Sequence, residues 1–199
     1  MQPQYSIDYL NQIAPKQKGP GVSNKLFFGV IGLGIILVIA FAIALISSGR
    51  GPSETVQMET MAARLQALQS IADNAGQNIG DDSLQSANAN LDTELTSLNQ
   101  QIVVPLKNNG INAKALPQSI VKAQALTDTT NRLNDAELNA VYDRTYASEM
   151  SFQLSELFIL MREINSGSNS RSMRAFIQNA LSNLKPIDDQ LSSFTGAND

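Results

Sequence analysis

The sequence predicts an all-α protein, in which a single N-terminal transmembrane helix precedes a four-helix bundle with one long crossover. Three observations support this fold class. An uncharged apolar run fills residues 26–46, apolar residues recur every three or four positions after residue 52, and no convincing run shows the two-residue alternation of a strand.

The apolar run reads LFFGVIGLGIILVIAFAIALI, which is 21 residues without a charge. At about 1.5 Å per residue, a helix of this length crosses a hydrocarbon core of about 30 Å. A secretory signal peptide is the alternative, but its apolar region is shorter and a small-x-small cleavage site follows it. We therefore expect a retained anchor that spans the lipid bilayer through residues 26–46 and ends by residue 48.

Basic residues indicate the orientation of this span. On its N-terminal side lie Lys16, Lys18 and Lys25, whereas Arg50 on the other side is soon followed by Glu54 and Glu59. The positive-inside bias places the N-terminus in the cytoplasm and the C-terminal domain outside a single-pass cell membrane protein. Residues 1–25 are rich in Pro, Gln, Gly and Lys, which predicts a disordered cytoplasmic leader, with a docking peptide as the alternative.

Four long amphipathic helices follow. They are predicted over residues 53–76, 82–104, 135–165 and 171–194. Ser53 and the pair Asp81-Asp82 are expected to cap the first two helices, and Asn108-Asn109-Gly110 is a stop signal. Residues 111–134 are interpreted as a crossover with one short helix. Two helical hairpins joined in this way form the arrangement of ferritin-like folds, here predicted as an extracytoplasmic bundle over residues 53–195.

The residue types that are missing exclude many functions. The chain has no Cys, His or Trp. It therefore cannot form a disulfide framework, a thiolate or imidazole metal site, or a Ser-His-Asp triad. No Gly-rich phosphate loop is present either. We expect no enzyme, no catalytic residue and no cofactor.

The formal net charge of −4 is divided unevenly, because the leader is basic and the segment after Arg50 is acidic. Nucleic acid is bound by a basic stripe that displaces counterions from phosphates. An acidic main domain therefore predicts no nucleic-acid partner.

Several segments of the bundle resemble a known family. They are YDRTY at 142–146, LSELF at 154–158, SGSNSRSMRAFIQNALSNLK at 166–185 and LKNNGIN at 106–112. In order and spacing they are similar to the exported ferritin-like family of bacterial four-helix bundles that is labelled as a domain of unknown function. The resemblance covers most of residues 53–195 and implies the same four-helix fold.

This chain departs from that family at the positions of three histidines. By the resemblance, those histidines fall near Glu94, at Leu154 and at Ile187. The departure indicates a degenerate member without the metal role of its relatives. Di-iron bundles also require Glu-x-x-His, which a chain without His lacks, and no EF-hand-like loop is present. We expect no metal site.

Three other features have both a functional and a structural interpretation. Glu149, Glu156 and Glu163 form either a cation-binding stripe or a solvated flank that pairs with Arg or Lys of a neighbouring helix. Tyr142 and Tyr146 either stack on a ligand or belong to the core. Met58 and Met61 either bind copper or pack in the interior, and the structural interpretation is favoured for each feature.

These observations predict a membrane-anchored extracytoplasmic bundle with a non-enzymatic binding or structural role at the cell envelope. Its expected partners are the lipid bilayer and an envelope protein or surface component. The alternative is a ferritin-like metal-handling or oxidative-stress protein with a carboxylate-only site that includes Glu94 and Glu149. Whether carboxylates of three helices converge inside the bundle distinguishes the two functions.

Overall fold

A computed structural model of the protein describes residues 52–195, and within that range the chain forms helices and no strand. The all-α class is therefore confirmed for this part of the chain. The predicted leader at 1–25 and the predicted span at 26–46 lie outside the described residues. Among the helices that are described, none has the length and apolar character needed to cross a bilayer.

The described range contains four long helices and three short ones. They are α1 Glu54–Ala75, α2 Asp82–Gln101, α3 Val103–Asn108, α4 Gln118–Ala123, α5 Thr127–Leu138, α6 Tyr142–Gly167 and α7 Arg171–Ser192.

Side-chain caps begin three of the long helices. The Ser53 hydroxyl accepts a hydrogen bond from the Val56 amide at 3.3 Å, and the Ser170 hydroxyl accepts one from Met173 at 3.4 Å. The Asp81 carboxylate accepts from the amides of Ser83 and Leu84 at 2.8 and 3.0 Å. These bonds satisfy backbone donors that the first turn of a helix leaves without a partner, so the capping roles predicted for Ser53 and Asp81 are confirmed.

The four long helices pack so that α1 and α7 each contact both α2 and α6. Gln57 at the start of α1 donates to Glu163 near the end of α6, and Asp143 at the start of α6 accepts from the amide of Gly80 beyond the end of α1. Each bond joins one end of α1 to the opposite end of α6, so the two helices are antiparallel.

Hydrogen bonds between α2 and α7 also show the relative direction of these two helices. Asn183 donates to Glu94 at 2.9 Å and Asn179 to Gln101 at 3.3 Å, so these helices are also antiparallel. Asn88 donates to the Ala72 carbonyl and Asn99 to the Leu65 carbonyl, so α1 and α2 are antiparallel as well. Both α2 and α6 are therefore antiparallel to α1 and point in the same direction. The crossover that joins them, including α4 and α5, must therefore travel back along the length of the bundle.

The core lies between the four long helices and is apolar. Its fully buried side chains include Met58, Met61, Leu65 and Leu68 of α1, Leu91, Leu95 and Leu98 of α2, Met150, Leu154 and Leu157 of α6, and Met173, Ile177 and Leu184 of α7. These residues recur at spacings of three and four, so each helix buries one stripe. The apolar faces predicted from the sequence are confirmed in α1, α2 and α7.

The third long helix differs from the prediction, because it begins at Tyr142 and not at residue 135. Residues 127–138 form the separate helix α5, and Ala140 follows it with a φ of 56°. That left-handed backbone reverses the chain. A helix that began at residue 135 would place Leu138 on the same apolar face as Tyr142, but Leu138 is 85% exposed at the end of α5.

The second helix also ends earlier than predicted, at Gln101 and not at residue 104. Proline has no amide hydrogen, so Pro105 cannot bond to the carbonyl of Gln101, where an uninterrupted helix would place a bond. The chain continues as the short helix α3, which ends at Asn108 and is followed by the cap residue Asn109 and by Gly110. The stop predicted at Asn108-Asn109-Gly110 is therefore confirmed.

Candidate binding cleft between the first helix and the crossover

A cleft of about 390 Å³ lies between α1 and the crossover helices α4 and α5. Its polar lining consists of amide and hydroxyl side chains: Gln66, Ser70, Asn74, Asn78, Thr130, Asn134 and Tyr142. Its apolar lining consists of Ala63, Ala67, Ile71, Val121, Ala125 and Leu133. The cleft is large enough for a small ligand or a short chain segment, and no formally charged side chain lines it.

Small side chains on α1 make room for this cleft. Ala63, Ala67 and Ser70 are spaced by four and three residues, so they share one face of the helix. A larger side chain at these positions would reach toward α4. The short helix α4 has no buried residue, and it presents Val121 to the cleft from the opposite side.

A polar cluster attaches the crossover to α6. Arg132 of α5 holds the Glu149 carboxylate with two nitrogens, each 2.6 Å from a different oxygen. Thr129 donates to the same carboxylate at 3.3 Å and accepts from the buried Gln153 amide at 3.0 Å. The hydrogen bonds to Glu149 raise the pKa of the Arg132 guanidinium. This bidentate ion pair between Arg132 and Glu149 fixes the position of α5, and therefore of the lining residues that α5 contributes to the cleft.

Tyr142 closes the cleft at the end nearest the α1–α2 turn. Its ring stacks on the ring of Tyr146, with centroids 6.1 Å apart and planes inclined by 10°. Burial raises the pKa of the Tyr142 phenol, while its hydrogen bond with Asn78 acts in the opposite direction. The phenol is therefore neutral at physiological pH and offers a hydrogen-bonding group at the cleft.

Tyr146 lies wholly inside the bundle. Its hydroxyl donates to Asn88 Oδ1, and the Asn88 amide donates to the Ala72 carbonyl at 3.0 Å. Burial raises the pKa of the Tyr146 phenol far above its ordinary value, so the group remains a neutral donor. The ligand-stacking interpretation of the two tyrosines therefore applies to Tyr142 alone, because Tyr146 is inaccessible.

The three glutamates spaced by seven residues on α6 each face a different partner. Glu149 binds Arg132, and Glu163 accepts from Gln57 at 2.7 Å. Burial lowers the pKa of the Arg64 guanidinium of α1, and the negative charge of Glu156 opposes part of that shift. The structure therefore places these residues along the contacts of α6 with α1 and α5, where they pair with basic and amide groups.

The structure also shows where the other candidate residues of the sequence analysis lie. Leu154 and Ile187, the positions at which the resemblance leads one to expect histidine, lie in the hydrophobic core. Met58 and Met61 are core residues as well, with exposures of 1% and 0%. Glu94 accepts from Asn183, whereas Glu149 belongs to the α5–α6 cluster. In the part of the chain that the structure describes, no three His, Cys, Asp or Glu side chains are grouped closely enough to hold a metal ion.

Comparisons of this chain with family models, with curated proteins and with solved structures found no match.

The cleft was not predicted from the sequence, although some of the residues that line it form a recognisable pattern there. The side-chain amides of Gln66 and Asn134 form no hydrogen bond with residues 52–195, and both side chains are exposed. On α1 the residues Gln66, Ser70 and Asn74 form a neutral polar stripe with spacing four, directly beside Ala63 and Ala67. That stripe is visible in the sequence, but only the position of the crossover turns it into a cleft.

Proposed function

We propose that this chain is a non-enzymatic, membrane-tethered, extracytoplasmic helical bundle that binds an uncharged polar ligand of the cell envelope in the cleft between α1 and the crossover. The ligand is a segment of an envelope protein or a surface component. The observation that carries the proposal is the cleft itself, which amide and hydroxyl groups line together with three alanines.

The chemistry of the cleft indicates the ligand class. Amide groups both donate and accept hydrogen bonds, so Gln66 and Asn134 suit peptide groups or sugar hydroxyls. Because no charged side chain lines the cleft, long-range electrostatic attraction does not select the ligand. Shape and hydrogen-bonding pattern are then the main sources of specificity.

The tether is supported by the sequence. Residues 26–46 carry no charge, and the lysine bias predicts that the bundle lies outside the cell. The resemblance to the exported ferritin-like family is supported by the direction of the helices, since α2 and α6 are parallel and a long crossover joins them. We include membership of that family, without its histidines, in the proposal.

Site-specific photo-crosslinking in intact cells tests the binding site. A photoreactive amino acid is introduced at Gln66 and, as a matched control, at Gln178, an exposed glutamine of α7 that does not line the cleft. We expect a discrete adduct from position 66 that is absent at position 178. No adduct at position 66, or the same adducts at both positions, would refute the cleft as the binding site.

Reporter fusions test the tether. An alkaline phosphatase, which is active only outside the cytoplasm, is fused after Thr195 and, as a control, after Lys25. We expect activity from the first fusion and none from the second. An inactive but well-expressed fusion after Thr195 would show that the orientation is wrong.

A further inference from the structure

The end of the bundle where the chain enters α1 differs in surface chemistry from the opposite end. This entry end comprises the start of α1, the α2–α3 junction, the end of α6 and the start of α7. Hydrogen bonds from Asn108 to Ser172 and from Asn109 to Ser170, at 3.3 and 3.0 Å, hold α3 beside the start of α7. The basic side chains of the entry end are Lys107, Lys114, Arg162, Arg171 and Arg174.

Two apolar side chains accompany these basic residues. Val103 and Val104, at the α2–α3 junction, are 37% and 61% exposed. They stand four and three residues before Lys107, which is also exposed. Exposed valines next to lysine and arginine are the combination that favours the boundary between lipid headgroups and acyl chains.

The opposite end of the bundle is mainly acidic. Asp81, Asp82, Glu137 and Asp143 lie there, near the turn between α1 and α2, together with the basic Arg144. The entry end also carries Glu54 and Glu59 on α1 and Glu163 on α6, and Glu163 accepts a hydrogen bond from Gln57 of α1. The two ends of the bundle therefore differ in charge, and α3 and the start of α7 contribute Lys107, Arg171 and Arg174 to the entry end.

From these observations we propose that the α3–α7 side of the entry end, defined by Val103, Val104, Lys107, Arg171 and Arg174, docks on an anionic lipid surface. This inference rests on the proposed tether. Only residues 47–51 separate the predicted span from the described bundle, and a chain of this length reaches at most about 20 Å.

The absence of cysteine makes a direct test possible, since one introduced cysteine carries a unique label. The full chain is prepared with Val104→Cys or, as a control at the opposite end, Leu138→Cys, because both positions are exposed. Each variant is labelled with a nitroxide and reconstituted into phosphatidylcholine vesicles with or without phosphatidylglycerol. Paramagnetic relaxation by lipid-soluble oxygen and by a water-soluble nickel complex then reports whether the label is in lipid or in water.

We expect severalfold more oxygen contact at position 104 than at position 138, only with phosphatidylglycerol and less at high salt. Each basic residue near an anionic surface contributes about fivefold to binding, so Lys107→Gln with Arg171→Gln should weaken docking about 30-fold. Arg144→Gln, at the opposite end, should change nothing. Equal oxygen contact at positions 104 and 138 in anionic vesicles would overturn the docking surface.

The same samples separate failure of the docking from failure of the tether. Resistance of the full chain to extraction by alkaline carbonate tests the span alone. If the chain resists extraction but position 104 remains in water, the tether stands and the docking is refuted. If the chain is extracted, the tether fails, and the label at position 104 on chain added to anionic vesicles still decides the docking.

Discussion

At the scale of single residues, one buried polar pair connects three of the long helices. Tyr146 and Asn88 link α6 to α2, and Asn88 in turn binds the backbone of α1. Three helices therefore meet at one chain of hydrogen bonds inside the bundle. A buried polar group is tolerated only while it has a partner, so this chain of bonds specifies how the three helices align.

We predict that Tyr146→Phe lowers the free energy of unfolding by about 1–3 kcal/mol, because Asn88 Oδ1 remains buried without its donor. Tyr142→Phe is the matched control. Its ring is half-buried and its hydroxyl is closer to water, so the expected loss is smaller. Denaturant unfolding of the full chain in detergent, followed by the helical circular dichroism signal, measures both. Equal losses for the two variants would contradict a special role for the buried pair.

At the scale of elements, two helix ends share one geometry but differ in their residues. After α3, the amide of Ile111 bonds to the Leu106 carbonyl at 3.0 Å around Gly110, whose φ is 75°. After α5, the amide of Val141 bonds to the Ala136 carbonyl at 3.0 Å around Ala140, whose φ is 56°. Both are Schellman motifs, and only the first has the glycine that the left-handed position favours.

We therefore predict that Ala140→Gly stabilises the protein by about 0.5–1 kcal/mol, because it removes a Cβ from a left-handed backbone. The control is Ala175→Gly at an exposed position inside α7, which should destabilise by about 1 kcal/mol. Thermal unfolding of the two variants measures the opposite signs. A loss of stability in Ala140→Gly would show that the turn after α5 is not left-handed.

The cap of α2 predicts a dependence on pH. Hydrogen bonds from Ser83 and Leu84 lower the pKa of the Asp81 carboxyl. A lowered pKa in the folded state means that the carboxylate stabilises the fold above its unfolded pKa of about 3.9, and that this contribution is lost as the pH falls through the folded value.

We expect Asp81→Ala to lower the unfolding temperature at neutral pH, and the difference from the unchanged chain to shrink as the pH falls below about 4. Asp81→Asn keeps a capping oxygen but does not titrate in this range, so at neutral pH it should be less harmful than alanine. Asp82→Ala is a second control, since Asp82 lies in the first turn and not at the cap. A deficit of Asp81→Ala that stays constant with pH would contradict this account.

At the scale of the whole molecule, the crossover determines which helices are neighbours. A bundle with only short connections makes its first and third long helices parallel and places them on a diagonal. Here the third long helix, α6, is antiparallel to α1 and packs directly against it. The crossover then covers these two helices, with α4 against α1 and α5 against α6, and the cleft forms beneath it.

A crosslinking experiment checks this arrangement. In the chain with Gln57→Cys and Glu163→Cys, a short bifunctional thiol reagent should join α1 to α6, because the original side chains are in hydrogen-bonding contact. The pair Gln57→Cys and Ser148→Cys is the control, since position 148 lies near the other end of α6. Crosslinking of the control pair in preference to the first would indicate parallel helices and a different topology.

Much of the fold follows from local rules that the sequence shows by itself. Apolar spacing predicts four long helices, because each must bury one stripe, and Ser53, Asp81 and Gly110 mark helix ends through chemistry that acts within a few residues. The break at Ala140 could not be predicted in this way. Alanine favours helix, so no residue preference marks the left-handed backbone after which the chain enters α6, the helix that α5 contacts through Arg132 and Glu149.

The candidate site is decided almost entirely by tertiary structure. The sequence by itself determined the all-helical class, the helix faces and the absence of the residues that most enzymes use. It did not determine that Gln66 and Asn134, 68 positions apart, would line one cleft. Helical periodicity reports which face of a helix is buried, whereas a cleft depends on which other element covers the remaining faces, and that is settled only when the crossover packs against the bundle.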